Sequence, residues 1–540
     1  MKMFPPPSRK PLAWLAFIVT ALFFVLHRGV SIDRVGGGFH PGHVWVIDHV
    51  AQMMQGAESW SGWTQRIGYP DPVFLRLIAW VPLLIAAPVS MLFGAPAAMV
   101  FIVLVGLIAS AWVTTALVQR LTGAGWAVSA GASLVYCMGP FSLGVMANGQ
   151  LAKMQLWCLP LVLLCSDKVL REGASSMRLL ALLCASLAMG FTSPSVGLVA
   201  PAALGVLVVW RTLWLDGGSL RSVAVLVVVA LAMGVPFLMH TAEVSGTVGL
   251  LPAAPVPGLA APDSLSPVAT VPGLFWGYGN WNPEHSAINN VAALGLPALV
   301  AMLVALTRPK PSVVWGFILL VVGVLLAFGP SQVWGANRWM LPAHLLDMVG
   351  YPMQKSGMYY RFVQVAALGL AFATASLAYR VPKRGWMLAW AVGLLTFMDG
   401  VRGTERIWPR QMKSISSQTV IESMLADPVK GAVLEFPLGH LDTEGERRLV
   451  AALVHKRPTT ALARNTIVRG TPRLERLSAV LDGRNAEDVL AKAGFRYVLL
   501  HRPNEPAVRT LRTKLESQLG SPSGDQLLAL WVISPSTVSR

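Results

Sequence analysis

The sequence predicts an all-α polytopic membrane domain over residues 1–399, followed by a small extracytoplasmic α/β domain over residues 400–540.

 The helical part is expected to cross the bilayer about eleven times. Three observations carry that expectation. Hydrophobic residues make up 54% of the 540-residue chain and charged residues only 13%, roughly half the charged share of a soluble domain. Runs such as Ala97–Leu117, Ser222–Met239, Ile288–Leu306 and Phe362–Tyr379 hold almost no charge and are long enough to span a bilayer. Beyond residue 400 such runs stop, and short apolar strands alternate with helical patterns.

Lys2, Arg9 and Lys10 precede the apolar stretch Leu12–Leu26, and the bulky Leu26-His27-Arg28 after it does not suit a signal peptidase. This stretch is read as an uncleaved first span with a cytoplasmic N-terminus, which places the chain from His27 to Pro72 outside. Val73–Phe93 is apolar but holds Arg76 and is broken by Pro82 and Pro88. Read as an interfacial or re-entrant hairpin, it leaves every later basic loop inside: Arg120; Lys168, Arg171 and Arg178; Arg211 and Arg221; Arg308 and Lys310; Arg380, Lys383 and Arg384. Outer loops then fall at 30–72, 139–155, 240–286 and 329–360, and the last span delivers the tail to the same side.

The net charge of +17 carries no basic stripe interleaved with aromatics, so nucleic acid is not an expected partner; the lipid bilayer is. Cys137, Cys158, Cys165 and Cys184 lie in or beside apolar spans without metal-ligand spacing, so neither structural disulfides nor a zinc site is expected. In the tail, Gly431–Pro437, Phe495–Leu500 and Leu527–Ile533 read as strands and Ala486–Ala493 as a helix. Gly439, Gly445 and Gly483 are too scattered for a phosphate-binding loop, so the tail reads as a binding or lid module.

Candidate chemistry sits in the outer loops. From His43 onward Val46, Val50, Met53 and Met54 recur at helical spacing, which suggests an amphipathic helix on the membrane surface with Asp48 facing away from that stripe. A carboxylate there can deprotonate an acceptor hydroxyl or bind a divalent metal, or it can be a solvated interfacial side chain. His40, His43 and His49 are spaced by three and then six, which is no helical ligand pattern, and no metal is assigned. Asn148, Gln150 and Lys153 precede a span, where the lysine either snorkels or meets a lipid phosphate. The aromatic segment Phe275–His285, with Trp281 and Glu284, suits an interfacial belt or a sugar. Lys355 and Arg361 lie outside, against the usual bias of basic residues, and suit an anion or a helix end.

Several short motifs run through the chain in a recognisable order. They are Ala116-Leu-Val-Gln-Arg-Leu-Thr-Gly123, Gln155-Leu-Trp-Cys-Leu-Pro-Leu161, Ala292-Ala-Leu-Gly-Leu-Pro-Ala298 and Tyr360-Arg-Phe-Val363, with Val433-Leu-Glu-Phe-Pro437 and Phe495-Arg-Tyr-Val-Leu-Leu-His501 in the tail. Together with the acidic, Trp-containing first outer loop, they resemble bacterial integral-membrane glycosyltransferases of the GT-C type. The resemblance implies a multi-pass protein of the bacterial inner membrane that takes a sugar from a polyprenyl-phosphate donor to a glycan, lipid or protein acceptor at the extracytoplasmic face. It implies Asp48 or Asp33 as base or metal ligand, and Lys153, Lys355 and Arg361 at the lipid phosphate. His40, His43, Asn148, Gln150, Trp281 and Glu284 then serve substrate binding.

One departure stands out. Relatives commonly carry a Gly-Asp pair where this chain has Gly38-Phe39-His40. Either Asp33 or Asp48 takes over that role or activity is lost, which keeps a catalytically degenerate partner in cell-envelope glycan assembly as an alternative. A transporter or flippase for a lipid-linked glycan is the other; it calls for ionisable residues at mid-span, where this sequence is apolar.

Overall fold

The structure is a computed structural model and describes residues 17–18, 41–61, 63–64, 66–67, 69, 73–75, 79–147, 151, 154–192, 197, 199–214, 219–246, 293–329, 331–334, 337–348, 359–381, 383–404, 418–436, 443–460, 466–467, 485–501, 503–504, 506–524 and 528–533. Its first part comprises α1 (Pro41–Met54), strands β1 (Trp63–Thr64) and β2 (Val73–Leu75), α2 (Trp80–Phe93), α3 (Ala95–Thr122), α4 (Trp126–Cys137), α5 (Pro140–Ala147), α6 (Cys158–Glu172), α7 (Ser176–Thr192), α8 (Ala200–Trp214) and α9 (Ser219–Gly246). Next come α10 (Leu296–Leu306), α11 (Pro311–Ala327), the hairpin β3 (Ser331–Trp334) and β4 (Asn337–Met340), α12 (Ala343–Met348), a 3-10 turn (Tyr359–Phe362), α13 (Val363–Ala378) and α14 (Gly385–Thr404). The tail holds α15 (Gln418–Ala426), β5 (Ala432–Phe436), α16 (Thr443–His455), β6 (Thr466–Ile467), α17 (Ala486–Lys492), β7 (Phe495–His501), α18 (Pro506–Leu519), β8 (Ser523–Gly524) and β9 (Leu528–Val532).

The helix limits follow local chemistry. Proline near the start of α3 lacks an N–H that would go unpaired there, and Gly123 ends the helix in the left-handed conformation, φ 70°. Gly94, at φ 84°, turns α2 directly into α3. With 14 residues, α2 is about 21 Å long, short of the roughly 30 Å hydrocarbon core, and it lies along α1 and α3.

Among the described residues, Ala95–Thr122 is long and apolar enough to cross a membrane by itself. Trp126–Cys137 and Pro140–Met146 meet the same standard together, bent by 53°, and seven further apolar helices are shorter. The expected eleven crossings are not reproduced at that standard. The outside of the bundle is nonetheless apolar: Leu92, Phe93, Leu213, Leu220, Leu231 and Leu303 are exposed, Leu220 to 80%. Rows of bare leucine suit hydrocarbon and not water.

Small residues bring the helices close. A Cβ on Gly316 would lie 2.7 Å from the Gly369 carbonyl, and one on Gly323 would lie 2.8 Å from the Phe362 carbonyl, so α11 and α13 touch backbone to backbone. Gly131 does the same for α4 against α14, 2.7 Å from the Trp390 amide. Several of the basic residues between helices pair with neighbouring helices. Fully buried Asp167 on α6 binds Arg120 of α3 at 2.5 Å and Arg211 of α8 at 2.6 Å, while Glu172 takes Arg120 and Arg178. Arg380 likewise donates to the carbonyls of Ala305 and Arg308.

The tail sheet runs β5-β7-β9-β8, with β5 parallel to β7 and β9 antiparallel to both β7 and β8. The three strands expected from sequence are β5, β7 and β9, and the expected helix is α17. Both faces are covered, which is why the strands read as continuous apolar runs. Leu434, Val498, Leu500 and Trp531 pack with Leu490 and Leu515, while Val433, Tyr497, Leu499 and Leu530 pack with Ile421 and Met424.

The tail also grips the helical part. α16 packs on α1, and its Leu449 and Ala452 join the same core as Val44, Trp45 and Ile47. Strand β6 pairs with β2 and β2 with β1, so one small sheet draws on both parts. The Tyr69 hydroxyl donates to the Ala493 carbonyl at 3.0 Å, with its ring edge-on to Phe495.

Candidate functional site

The expected helix after His43 exists as α1, beginning at Pro41, but it does not lie on a surface. Val44, Trp45, Val46, Ile47, Val50, Ala51 and Met53 are all buried, because α2 and α3 cover part of the helix and α16 another part. Its polar positions are therefore interior or rim positions.

Asp48 keeps 27% of its side chain exposed. Its Oδ2 accepts from Arg66 Nη2 at 2.9 Å and from Gln52 Nε2, one helical turn on, also at 2.9 Å. Among the described residues both bonds fall on Oδ2 and none on Oδ1. Among these residues Oδ2 is anchored and Oδ1 is not, an arrangement that suits a general base. The Arg66 guanidinium also lies over the Trp45 ring, 5.3 Å from its centroid, and Trp45 stacks on His49 at 5.1 Å.

His49 is fully buried, and neither ring nitrogen has a hydrogen-bond partner among the described residues. Burial, and then the Arg66 charge, lower its pKa to about 4, so it is neutral near pH 7. His43, six positions earlier and about 240° around the helix, faces elsewhere and takes the Leu151 amide on Nδ1 at 3.5 Å. The two histidines therefore do not converge on an ion. Among the described residues no group of three or more His, Cys, Asp or Glu is placed to hold a metal; the cation at Asp48 is Arg66.

The bond from Leu151 to His43 brings the second outer loop against α1. That loop is fixed from below. Tyr136 donates to the Leu156 carbonyl at 2.9 Å and accepts from Gln364 of α13 at 2.6 Å, while Gln155 takes the Trp157 indole N–H at 2.9 Å. Arg361 is only 4% exposed, in the 3-10 turn between α11 and α13; it is a buried cation and not an exposed one. Asp33, His40, Asn148, Gln150, Lys153, Trp281, Glu284 and Lys355 lie outside the described residues.

Sequence reasoning missed the partners of Asp48 and what stands behind them. The Arg66 carbonyl accepts the Thr459 amide at 3.1 Å, and the Tyr69 amide donates to the Thr459 carbonyl at 3.0 Å. The Thr459 hydroxyl donates to Glu435 Oε1 on β5. Glu435 is fully buried and also faces His501 Nε2 at 2.8 Å and His455 Nε2 at 3.4 Å. His455 Nδ1 accepts the Arg457 amide at 3.1 Å, which puts its proton on Nε2, toward the carboxylate. Burial alone would raise the pKa of Glu435; hydrogen bonds from His455 and His501 outweigh it and hold it at about 2. One signal was present: a lone carboxylate inside the apolar strand Ala432–Phe436 requires donors.

The fold has solved counterparts. The chain is similar to ArnT from Cupriavidus metallidurans in the apo state at 14% identity and a TM-score of 0.53, over 98% of this chain and 99% of that one. It is similar to the arabinofuranosyltransferase AftD from Mycobacteria at 15% identity and a TM-score of 0.57, over 98% of this chain but only 40% of AftD. No protein-family model and no curated sequence matches it. At such identities the likeness is one of architecture, and it runs through the helical part and the tail together: this chain has a GT-C-type fold.

Proposed function

We propose that this chain is a membrane glycosyltransferase that moves a sugar from a polyprenyl-phosphate donor to a glycan, lipid or protein acceptor on the extracytoplasmic side of a bacterial inner membrane. The observation that carries the reading is the Asp48 carboxylate, whose two bonds among the described residues both fall on Oδ2. The fold it shares with an arabinofuranosyltransferase supports the reaction class. In this reading residues 1–399 form the membrane part and residues 400–540 the extracytoplasmic part.

The chemistry is a displacement. The acceptor hydroxyl gives its proton to Asp48 Oδ1 as its oxygen attacks the anomeric carbon. The bond from that carbon to the phosphate oxygen breaks, and its electron pair leaves with the phosphate. Arg66 and Gln52 fix the direction in which the carboxylate accepts. Lys153, Lys355 and Arg361 are assigned to the departing phosphate, whose charge needs cations in a site of low dielectric. His40, His43, Asn148, Gln150, Trp281 and Glu284 are assigned to the sugars.

Turnover by the purified protein with a polyprenyl-phosphate sugar and a cell-envelope acceptor tests this. Asp48→Asn is expected to lose roughly 10²- to 10⁴-fold in kcat while still binding donor. Full activity in Asp48→Asn with loss in Asp33→Asn would move the base to Asp33. Binding without turnover in the unaltered protein would favour the degenerate partner.

A further inference from the structure

We propose that the tail completes the catalytic site: Thr459 and Glu435 are positioning residues for Asp48, acting through Arg66. The inference rests on Asp48 being the base.

Thr459 bonds in two directions. Its amide and carbonyl meet the Arg66 carbonyl and the Tyr69 amide, so the first outer loop is tied to it by two backbone hydrogen bonds. Its hydroxyl is taken by Glu435. The segment around it is laid beside β5 by the Val433–Pro458 and Thr460–Val433 backbone bonds at 2.8 and 3.2 Å, and by the Glu435 amide donating to the Thr460 hydroxyl at 2.9 Å. Pro458–Thr460 thus acts as a short splint between β5 and the loop that carries Arg66.

The far end of the splint is rigid for a chemical reason. Glu435 is fully buried and faces three donors, Thr459, His455 and His501, all from the tail. A buried ionic cluster is weak evidence for stability, since apolar residues of the same volume commonly serve as well. What it does supply is a fixed place for each partner. Fixing Thr459 fixes the Arg66 backbone, and from there the guanidinium reaches Asp48 Oδ2 at 2.9 Å while lying over Trp45. Reactivity is steep in such placements: a shift of about 1 Å can cost on the order of 100-fold.

The test uses the full chain. Thr459→Val removes the hydroxyl and keeps the shape. It is expected to lower kcat about 10- to 100-fold with the donor KM within about 2-fold, and Thr459→Ser is expected to recover most of that loss. Glu435→Gln should act in the same direction. In an Arg66→Gln background, Thr459→Val should add less than about 2-fold, because both changes break one path. Hydrogen exchange should quicken in peptides covering residues 62–75. A Thr459→Val protein with unaltered kcat and exchange would overturn the inference, while an inactive Asp48→Asn would leave the base standing. Losses that multiply fully with Arg66→Gln would also overturn it, since they would report general loosening of the tail. Wild-type turnover in Asp48→Asn would remove the base and the positioning role together.

Discussion

Glu435 and Asp48 are two carboxylates with opposite surroundings. Glu435 is sealed and faces donors on both oxygens; Asp48 is half-open and bonded on one. The sealed one sets an acid limit. Its carboxyl stands at 4.5 in the ordinary case and about 2 here, so folding holds it depressed. The stability it contributes is complete above pH 4.5 and is lost as pH falls from there toward 2. Asp427 is held at about 2 by the Tyr497 hydroxyl, then by the Val429 amide and Arg496, and it steepens the same limb. Thermal unfolding in detergent should therefore fall with acidification below about pH 5, and Glu435→Gln should flatten the slope; an equal slope in the variant would place the acid sensitivity elsewhere. At this scale the sequence was half legible. Asp48 was a candidate because it falls away from the apolar stripe of an outer-loop helix, where a carboxylate can take a proton from an acceptor hydroxyl. Arg66 was not, because it reaches Asp48 from 18 positions away through a loop without periodicity.

Helices tell a similar story about what period reveals and what it hides. The spacing of Val46, Val50 and Met53 identified α1, but the expected membrane-surface helix is instead packed between α2, α3 and α16, with Asp48 at its rim. Hydropathy located α3, α9, α10 and α13 but not their neighbours. Gly316 and Gly369 look unremarkable in sequence, and only the fold shows them crossing. That crossing gives a contrast. Gly369→Val would drive its Cβ into the Gly316 carbonyl and to within 2.9 Å of the Leu320 amide, whereas nothing lies within 4 Å of a Cβ at Gly205. Gly369→Val is expected to cost about 1–3 kcal/mol, and Gly205→Ala is expected to be neutral or to stabilise by up to about 1 kcal/mol. Thermal unfolding in one detergent compares them, and equal melting temperatures would mean that α11 and α13 do not meet so closely.

For the molecule as a whole, direct packing of α16 on α1 puts the candidate base and the tail on one side of any membrane. An impermeant maleimide applied to intact cells, with Cys184 replaced by Ser, should label Met54→Cys and Ser517→Cys alike and spare Arg384→Cys. Labelling of Arg384→Cys instead of those two would reverse the proposed orientation. The two-part build was expected because a change in hydropathy is a property of composition. The joint between the parts was not, because β1, β2 and β6 are two or three residues long and too short to show any alternation.

The shared three-stranded sheet has a consequence for how such a chain can be recombined. Phe74 pairs with Ile467 and Leu75 with Thr466, so the two halves are interlaced by main-chain bonds that no side-chain swap can replace. A chimera that grafts a foreign C-terminal half onto this helical core must import the matching stretch around Trp63–Leu75 with it, or β2 is left with an unpaired edge.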